Sequence, residues 1–475
     1  MQAQTSPRAG RPPRYITGPV APARVRPAVL VIAGSDSSGG AGLQADLKAL
    51  DHLGVHGAAA VTCVTSQSST RVATVYPLSA GAVVDQATEV LRDMHISAVK
   101  CGVLYSEEVV RAVADLVVDR NLRAVVDPVL AATSGGRLAH DGVAAAYMRF
   151  LVPEAWCVTP NAHEAQALVG RPASLPGGAA RAARRLVDAG AASAVVKGGH
   201  LRRSRSVVDT IAYRAGRKVR VERLASPRLP GELHGAGCHF ASLMAGVAAH
   251  GRDPAQSFRV AHRLVQAMVA RSERPGRGPR FLRTPPQRFV VEPQKAPARA
   301  SMAWALAESL LELGAVLRPH HLAEVGLNFG YATWGARRAG DVCAVDGRVV
   351  VSEGRAVLAG PIRFGGSRHV ARILLACQRE APTLRAALNL RPPDGLERRA
   401  GRARLELAAF DRADEPRSRA RKSSTMSWGT REALRRSRRL PDLIADGGAD
   451  GKEPMVRVLG KDPADVVAKV AKLLR

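Results

Sequence analysis

The sequence has few aromatic residues and few cysteines, and it has no long apolar run. Aromatic residues make up 4 % of the 475 residues, and the six cysteines are scattered without a CxxC pair. This pattern argues against a cysteine-built metal cage or a disulfide framework, so we expect a reducing, cytoplasmic environment. No uncharged apolar stretch reaches the roughly 18 residues that a membrane span needs. The start of the chain has no apolar signal core either, so we predict no secretory signal.

Acidic residues are also scarce, and the basic excess is large. There are 41 Asp and Glu against 70 Lys and Arg, which gives a net charge of +29. The basic residues cluster in segments 1–26, 271–299 and 398–439, without interleaved aromatic residues. Nucleic-acid binding, anionic substrates or solvated surface could each account for such a charge. We predict solvated tails and loops, with residues 1–26 as a disordered basic tail that binds no nucleic acid.

Hydrophobic residues, at 46 %, are ample for a globular chain of two or three domains. One stretch, His234-Gly-Ala-Gly-Cys-His239, precedes an apolar run over 240–249 that is typical of a buried helix. The free N–H groups at a helix start favour an anion, and their field lowers the pKa of a cysteine there towards neutrality. The motif therefore suits phosphoryl transfer with Cys238 as base. Close helix packing with Cys238 as a small buried hydrophobe is an open alternative.

The N-terminal half alternates apolar strand patterns with helical ones, which indicates an α/β fold with a parallel sheet. A glycine-rich turn over 34–42 enters a helix over 43–53, but it lacks both the P-loop and the dinucleotide-binding spacing. Asp127 follows a strand directly, at the sheet edge where parallel sheets bind ligands. The predicted strands are 28–33, 58–65, 98–102, 124–129, 157–161 and 194–200.

Five motifs occur in family order, and together they resemble the hydroxymethylpyrimidine/phosphomethylpyrimidine kinases of thiamine synthesis. They are the turn and helix over 34–46, Asp127-Pro-Val129, Thr159-Pro-Asn161, Val196-Lys-Gly-Gly-His200 and Gly235-x-Gly-Cys238. The resemblance covers roughly residues 27–270 and implies the ribokinase-like three-layer α/β/α fold. It also implies two successive phosphorylations of a pyrimidine alcohol, with ATP as co-substrate and Mg²⁺ as cofactor.

The resemblance also assigns roles to individual residues. Four positions depart from the family pattern: Ser68, Val103, Ala236 and His239 replace Asn, Met, Thr and a small hydroxyl residue. We expect these departures to affect substrate affinity more than the fold. The implied site residues are Gly34, Asp46 and Gln67 for the pyrimidine, Gly235, Ala236 and Gly237 for the anion hole, Cys238 for the base, and Asp127, Asn161 and Lys197 for the nucleotide, with Mg²⁺ near Asp127.

The C-terminal half is predicted to be a second, smaller α/β domain over 299–475. Before it, the Pro- and Arg-rich residues 271–298 predict an extended linker. Within it, a glycine-rich turn over 360–367 enters a helix whose first turns carry Arg368, His369 and Arg372. This arrangement suits an anion cradle, because guanidinium groups bind phosphate at two oxygens. A solvated basic helix start is the alternative.

The second half resembles the ThiN-type thiamine-phosphate synthase domain that is found fused behind pyrimidine kinases. The resemblance rests on motifs over 324–328, 347–348, 364–372 and 389–391, together with the C-terminal segment from Pro441. It implies condensation of the pyrimidine diphosphate with thiazole phosphate, releasing pyrophosphate. Cations aimed at the leaving diphosphate are what this chemistry needs. The residues implied are Arg348 and His369, with Arg372 and Asn389 behind them.

Two alternatives of other classes remain. The C-terminal domain could only sense thiamine phosphate and regulate the kinase, or the kinase could act on pyridoxal, which the same fold hosts. The glycine-rich turn over 34–42 and Cys238 favour the pyrimidine. We further expect small-molecule substrates, no nucleic-acid or membrane partner, and a homo-oligomer.

We predict that the basic tail is dispensable, because it has too few apolar groups to bury. Deleting residues 1–26 should leave the activities of the chain within a few-fold of the full-length values. Activity assays and nucleic-acid binding at two salt concentrations test this. Tight, salt-sensitive binding that disappears with the tail would contradict the prediction.

Overall fold

The computed structural model describes most of the chain. The described residues are 26–132, 136, 138–174, 177–199, 205–324, 326–352, 355–414, 425–448 and 453–475. Most of the basic tail, together with His200 and Val325 of the motifs, lies outside the described residues. No helix in the described part of the chain combines the length and apolar character of a membrane span.

The N-terminal half is a three-layer α/β/α domain, as predicted. Its nine-stranded sheet has the order β3-β2-β1-β4-β5-β6-β7-β8-β9, parallel from β2 to β7 and antiparallel at both edges. The strands are β1 (Ala28–Asp36), β2 (His56–Gln67), β3 (Val72–Pro77), β4 (Ile96–Cys101), β5 (Ala124–Val126), β6 (Cys157–Val158), β7 (Ser193–Val196), β8 (Ser206–Ala215) and β9 (Lys218–Pro227).

Helices cover both faces of this sheet because its central strands are apolar on both sides. Along β1, Val29 and Val31 face one hydrophobic cluster while Leu30 and Ile32 face the other, as strand alternation requires. The first cluster contains α1, α7 and α8, and the second contains α2 to α6. The helices are α1 (Gly42–His52), α2 (Ala80–Asp93), α3 (Glu107–Asp119), α4 (Val143–Ala146), α5 (Ala162–Val169), α6 (Gly178–Asp188), α7 (Ala236–Ala249) and α8 (Pro254–Val269).

The C-terminal half is the smaller α/β domain that the sequence predicts. Its seven-stranded sheet has the order β16-β13-β12-β17-β20-β19-β18 and is antiparallel except between β18 and β19. Helices α9, α11 and α13 lie on one face, and α10 and α12 on the other.

The elements of this half follow the connecting pair β10 (Leu233–His234) and β11 (Arg280–Phe281). They are α9 (Pro297–Val316), β12 (Phe329–Ala332), β13 (Val342–Val345), β14 (Val349–Ser352), β15 (Arg355–Leu358), β16 (Ile362–Phe364), α10 (Arg368–Glu380), β17 (Ala386–Leu390), α11 (Leu396–Ala403), β18 (Leu407–Phe410), α12 (Thr425–Arg436), β19 (Leu443–Asp446), β20 (Met455–Gly460) and α13 (Pro463–Leu473). Strands β14 and β15 form a separate hairpin.

Residues 271–298, predicted to be an extended linker, pack closely against both halves. Strand β11 pairs with β10 in front of α7, and Phe289 N–H donates to the carbonyl of His52 at 2.8 Å. Further along, Val291 forms a bridge with Ile362 in the second sheet. The difference from the prediction arises because large apolar residues are interspersed among the prolines and arginines, and they are buried. The predicted domain bounds stay a prediction.

We predict that Phe289 is needed for stability. It is 6 % exposed, so Phe289→Ala should lower the free energy of unfolding by about 3–5 kcal/mol through lost burial and a cavity. The matched control is Pro286→Ala in the same segment, where the side chain is exposed and the expected change is within about 0.5 kcal/mol. Urea denaturation of both variants measures this. Equal stability of Phe289→Ala and the wild type would mean that the segment is a free spacer.

Candidate active sites

The start of α7 lies against the glycine-rich turn after β1. Gly235, the N-cap of α7, has φ +75°, and a Cβ there would lie 1.8 Å from the carbonyl oxygen of Gly40. Only glycine permits both this conformation and this approach. The contact places the N-termini of α1 and α7 side by side, and the backbone N–H of Gly42 hydrogen-bonds the sulfur of Cys238. Two helix starts therefore converge on Cys238, which favours an anion here.

The expected lowering of the Cys238 pKa is wrong for the unliganded protein. Burial raises the pKa of this thiol to about 12, against the opposing effects of Lys100 and the Gly42 N–H. The carboxylates of Asp46 and Asp127 raise it further. The sequence motif reveals the helix start, whose field lowers the pKa of a cysteine. It reveals neither the burial of Cys238 nor the two acidic neighbours, which raise the pKa. Cys238 is therefore a thiol in the unliganded site.

Asp127 and Lys197 meet at the first turn of α7. Lys197 Nζ lies 2.7 Å from Asp127 Oδ1, and the Thr159 hydroxyl lies 3.2 Å from the same oxygen. A Cβ on Gly237 would lie 2.9 Å from Lys197 Nζ and 3.9 Å from Asp127 Oδ2. Although burial opposes it, the charge of Asp127 keeps the pKa of Lys197 above its usual value. A permanent cation thus faces the predicted anion hole.

The other oxygen of Asp127 fits a divalent cation. Oδ2 is buried and has no hydrogen-bond partner among the residues described. Mg²⁺ commonly takes one or two carboxylates and completes its shell with phosphate oxygens and water. No group of three or more His, Cys, Asp or Glu that could hold a metal occurs within the described ranges. The unpaired Asp127 Oδ2 therefore suits Mg²⁺ that arrives with a nucleotide.

Asn161, predicted to bind the nucleotide, caps α5. Its side-chain oxygen accepts the backbone N–H groups of His163 and Glu164 at 2.9 and 3.0 Å. The Glu164 carboxylate accepts from the Asn161 N–H at 2.7 Å, completing a capping box. Asn161 also forms a bridge with Lys197, so it lies beside the nucleotide residues. Its own contact with a nucleotide stays a prediction.

Gly34 and Gln67 both contact segments that carry the Cys238 site: the Gly34 carbonyl faces Gly42, and Gln67 faces His234, which precedes Gly235. A Cβ on Gly34 would lie 2.7 Å from Cys63 Sγ, so the position needs glycine. Gln67 Nε2 lies 3.3 Å from His234 Nε2, and the same imidazole nitrogen lies 2.9 Å from Asp36 Oδ2. A carboxamide in this position can match an aminopyrimidine edge.

Asp36 and His234 are site residues that the sequence reasoning missed. Asp36 accepts hydrogen bonds from the backbone and hydroxyl of Ser38 and from the Ala41 N–H, at 2.7 to 2.8 Å. Burial alone would raise the pKa of Asp36, but these bonds and His234 hold it at about 2. Asp36 therefore stays ionised and fixes both the glycine-rich turn and His234. An acid three residues before Gly39 in a turn was the available signal.

Asp46 lies behind the site rather than open to it. It is completely buried, and its oxygens accept from Lys100 Nζ at 2.7 Å and from the Ser242 hydroxyl at 2.8 Å. The contact of Asp46 with the pyrimidine stays a prediction. Lys100, which the sequence reasoning did not single out, is equally buried and lowers the Cys238 pKa. Asp46 thus acts here as the partner that keeps Lys100 in place.

The second candidate site lies on the neighbouring strands β17, β20 and β19 of the C-terminal sheet. Polar residues on neighbouring strands form a row there, with Asn389 opposite Arg457 in register. Asn389 Oδ1 accepts the Asn328 N–H at 2.6 Å, and Arg457 Nη2 donates to Asp446 Oδ2 at 2.7 Å. Arg412, after β18, donates to the other oxygen of Asp446 at 2.7 and 2.8 Å. Asn389, Arg457 and Asp446 therefore form a buried polar cluster in this half.

Helix α10 begins directly after the glycine-rich turn, as predicted from the sequence, and its N-cap is linked to this polar cluster through Asn328. Its N-cap, Ser367, donates to Asn328 Oδ1 at 2.7 Å and accepts from the Val370 N–H. His369 follows in the first turn, and its Nε2 is buried with no hydrogen-bond partner within the described chain. Burial lowers the His369 pKa to about 4, and the nearby charges of four arginines contribute to the shift. Those arginines are Arg457, Arg348, Arg372 and Arg412.

The structure therefore brings Arg348, His369 and Arg372, which were predicted from the sequence, close to one another. Asn389 joins them through Asn328 and Ser367. Arg348 sits in a left-handed conformation with φ +79°, directly after Gly347, and its charge reaches His369. Arg372 is exposed, while Asn389 is buried and positions Asn328. The sequence reasoning missed Arg412, Asp446 and Arg457 as site residues. Their strands are far apart in the chain, so only the sheet order reveals the group.

We predict that Cys238 reacts slowly with iodoacetamide in the unliganded protein. With a pKa of about 12, the thiolate fraction at pH 7 is on the order of 10⁻⁵. The rate at Cys238 should rise about tenfold per pH unit from pH 7 to 10 without a plateau. Mass spectrometry of the modified peptides measures it, and the other five cysteines, which are buried, serve as internal controls. A plateau between pH 7 and 9 would contradict a thiol pKa of about 12.

Comparison with known proteins identifies a family for each half of the chain. The phosphomethylpyrimidine kinase family model matches residues 36–282, and the thiamine-phosphate synthase ThiN model matches residues 315–472. The bifunctional thiamine biosynthesis protein ThiDN of Methanocaldococcus jannaschii is 27 % identical over 93 % of this chain and 97 % of its own length. The hydroxymethylpyrimidine/phosphomethylpyrimidine kinase of Rhizobium meliloti is 38 % identical over 53 % of this chain and 94 % of its own.

A solved structure supports the fold of the first half. The pyridoxal kinase of Staphylococcus aureus in complex with ADP has a TM-score of 0.50 and 28 % identity, covering 55 % of this chain and 94 % of that one. The ribokinase-like architecture predicted from the sequence is confirmed. The chain belongs to the phosphomethylpyrimidine kinase family and carries a ThiN-type thiamine-phosphate synthase domain behind the kinase domain.

Proposed function

We propose that this chain makes thiamine phosphate in two stages. The kinase domain phosphorylates 4-amino-5-hydroxymethyl-2-methylpyrimidine with ATP, first to the monophosphate and then to the diphosphate. The ThiN-type domain then joins the diphosphate to thiazole phosphate and releases pyrophosphate. The observation that carries the proposal is the convergence of Lys197, Asp127 and Cys238 on the start of α7, next to the segments that Gly34 and Gln67 contact.

In the first phosphorylation, the Cys238 thiol first releases its proton to solvent, and the resulting thiolate accepts the proton of the hydroxymethyl group as the hydroxymethyl oxygen attacks the γ-phosphorus of ATP. The bond from that phosphorus to the bridging oxygen breaks, and ADP leaves. The backbone N–H groups of 235–237 and the Lys197 ammonium stabilise the charge on the transferred phosphoryl group. In the second phosphorylation, an oxygen of the monophosphate is the nucleophile, so no hydroxyl proton has to be removed.

Bound ligands would also adjust the base. Asp127 Oδ2 would hold Mg²⁺, which would neutralise phosphate charge when it is bound. Asp127 is one of the charges that raise the Cys238 pKa. Neutralising that carboxylate removes the effect and leaves the opposing charge of Lys100 in place. Desolvation by burial, the largest cause of the raised Cys238 pKa, remains, so forming the thiolate is a free-energy cost that the proposed base mechanism includes.

A pyrimidine is favoured over pyridoxal as the substrate. The family model names phosphomethylpyrimidine kinase, and curated kinases of that activity are 33–38 % identical to this chain. The carboxamide of Gln67, beside His234, offers a donor and an acceptor to an aminopyrimidine edge. The solved pyridoxal kinase supports the shared fold, and fold alone does not select the substrate.

In the synthase stage, the C–O bond between the pyrimidine methylene and the diphosphate breaks, and the thiazole nitrogen bonds to that carbon. Negative charge builds on the departing pyrophosphate. Arg348 and Arg372 supply positive charge there, and His369 donates a hydrogen bond from its neutral ring. Asn389 positions the start of β12 through Asn328. The homo-oligomer and the cytoplasmic location stay predictions.

The test is a coupled assay with the hydroxymethylpyrimidine, Mg-ATP and thiazole phosphate, followed by detection of thiamine phosphate. Cys238→Ala should lower pyrimidine phosphorylation by about 10²–10⁴-fold, while pyrimidine diphosphate supplied directly is still converted. Arg348→Lys should strongly reduce thiamine phosphate formation and leave the kinase intact, because lysine cannot bind two phosphate oxygens at once. The two variants thus serve as controls for each other.

Each alternative gives a different result in this assay. If the wild type phosphorylates the pyrimidine and binds thiamine phosphate but never forms it, the C-terminal domain is a sensor. A preference for pyridoxal as phosphoryl acceptor would identify the other kinase activity. Unchanged kinase turnover in Cys238→Ala would show that this residue is not the base.

A further inference from the structure

Arg457 is a buried arginine whose hydrogen-bonding capacity is only partly used. It lies on β20, is 1 % exposed, and uses its Nη2 to bond Asp446 and the sulfur of Met426. Its Nε and Nη1 are buried and find no hydrogen-bond partner in the described parts of the chain. Together these two nitrogens carry three N–H groups. Leaving buried donors unpaired costs about 1–3 kcal/mol for each group, so the protein tolerates a substantial penalty here.

The charge around Arg457 is also unbalanced. Asp446 accepts from Arg457 at 2.7 Å and from Arg412 at 2.7 Å, so one carboxylate serves two guanidinium groups. Arg412 and Asp446 are themselves almost fully buried. The group of three therefore keeps one uncompensated positive charge in the interior. Burial is the main cause that lowers the pKa of Arg457, and the charge of Arg412 lowers it further. The guanidinium also lies over the Phe410 ring, with Cζ 4.9 Å from the ring centroid, which leaves the N–H groups of Nε and Nη1 unpaired.

His369 adds a third unpartnered atom beside this group. Of the four arginines that lower the His369 pKa, Arg457 has the largest effect, so it is the dominant cation near the imidazole. His369 Nε2 is buried and, like Arg457 Nε and Nη1, is unpaired in the described residues. His369 itself lies in the first turn of α10, where free backbone N–H groups also attract an anion. The unpaired Arg457 nitrogens and the N–H groups at the start of α10 therefore favour binding of an anion, to which His369 Nε2 can also donate when it carries the ring proton.

We propose that Arg457, held by Asp446 together with Arg412, is a binding residue for the phosphate group of a synthase substrate. The ligand class is a phosphate monoester or a diphosphate, to which arginine donates several short, charge-assisted hydrogen bonds. Bound phosphate would pair the free Arg457 and His369 donors and cancel the excess charge. This inference rests on the proposed synthase function and adds a residue to it.

The first experiment titrates inorganic pyrophosphate into the full-length protein by calorimetry, with the kinase site filled by AMP-PCP. Arg457→Met keeps the approximate volume and removes the donors, so its affinity for pyrophosphate should fall at least about tenfold. Arg457→Lys should lose less. The matched control is Arg435→Met on α12, whose side chain is 62 % exposed and bonded to Glu380, and its affinity should match the wild type.

Steady-state kinetics then distinguish the two sources of phosphate. In Arg457→Met, a raised KM for pyrimidine diphosphate alone assigns the diphosphate, and a raised KM for thiazole phosphate alone assigns the monoester. A folded Arg457→Met protein with wild-type pyrophosphate affinity and both KM values unchanged overturns the proposal. If Arg457→Met does not fold, the test uses Arg412→Gln, because the Arg412 side chain is 8 % exposed and shares Asp446 with Arg457. The affinity of this variant for pyrophosphate must then fall at least about tenfold.

The outcomes separate this proposal from the synthase function. If the wild type binds pyrophosphate through Arg457 but forms no thiamine phosphate, the anion site is upheld and the synthase function fails. If the wild type forms thiamine phosphate and neither Arg457→Met nor Arg412→Gln loses affinity, the synthase function is upheld and the anion site fails.

Discussion

The contact between Gly235 and Gly40 is the constraint on which the kinase half depends. A Cβ on Gly235 would lie 1.8 Å from the Gly40 carbonyl oxygen, and one on Gly40 would lie 2.6 Å from the Phe281 ring. Two turns and the β11 segment can therefore pack together only because these positions carry no side chain. This packing sets α1 and α7 side by side and brings Gly42 N–H to Cys238. The anion site is thus a consequence of backbone packing, and the side chains are arranged around it.

Buried cations held by single carboxylates are common to both halves. In the kinase half, Lys100 pairs with Asp46 and Lys197 pairs with Asp127, and both pairs lie beside the first two turns of α7. In the synthase half, Arg457 and Arg412 share one carboxylate. Removing one member of a buried pair typically costs about 3–5 kcal/mol, because it leaves an uncompensated charge. Such pairs therefore fix the cations in place before any phosphate arrives, and this preorganisation is what electrostatic catalysis requires.

The sequence was most informative where chemistry is encoded in contiguous residues. The turn over 34–42, the helix start at Gly235 and the turn before His369 were all predicted, because each combines glycine with a following apolar pattern. The long hairpin of β8 and β9 was missed, although Gly216 at its turn has φ +61°. The burial of 271–298 was missed because its composition concealed its large apolar residues.

Properties that depend on surroundings could not be predicted in this way. The Cys238 pKa has the opposite direction from the one expected, because Asp46 and Asp127 come from distant parts of the chain and desolvation outweighs the helix field. The same holds for the unpaired atoms, because no sequence motif indicates that Asp127 Oδ2 or the Arg457 nitrogens lack a hydrogen-bond partner among the described residues. The first is an acceptor that lacks a cation, and the second is a donor set that lacks an anion. In the functions proposed above, a magnesium–nucleotide complex would satisfy the first and a phosphorylated substrate the second, so each site would be completed by the class of ligand that its chemistry uses.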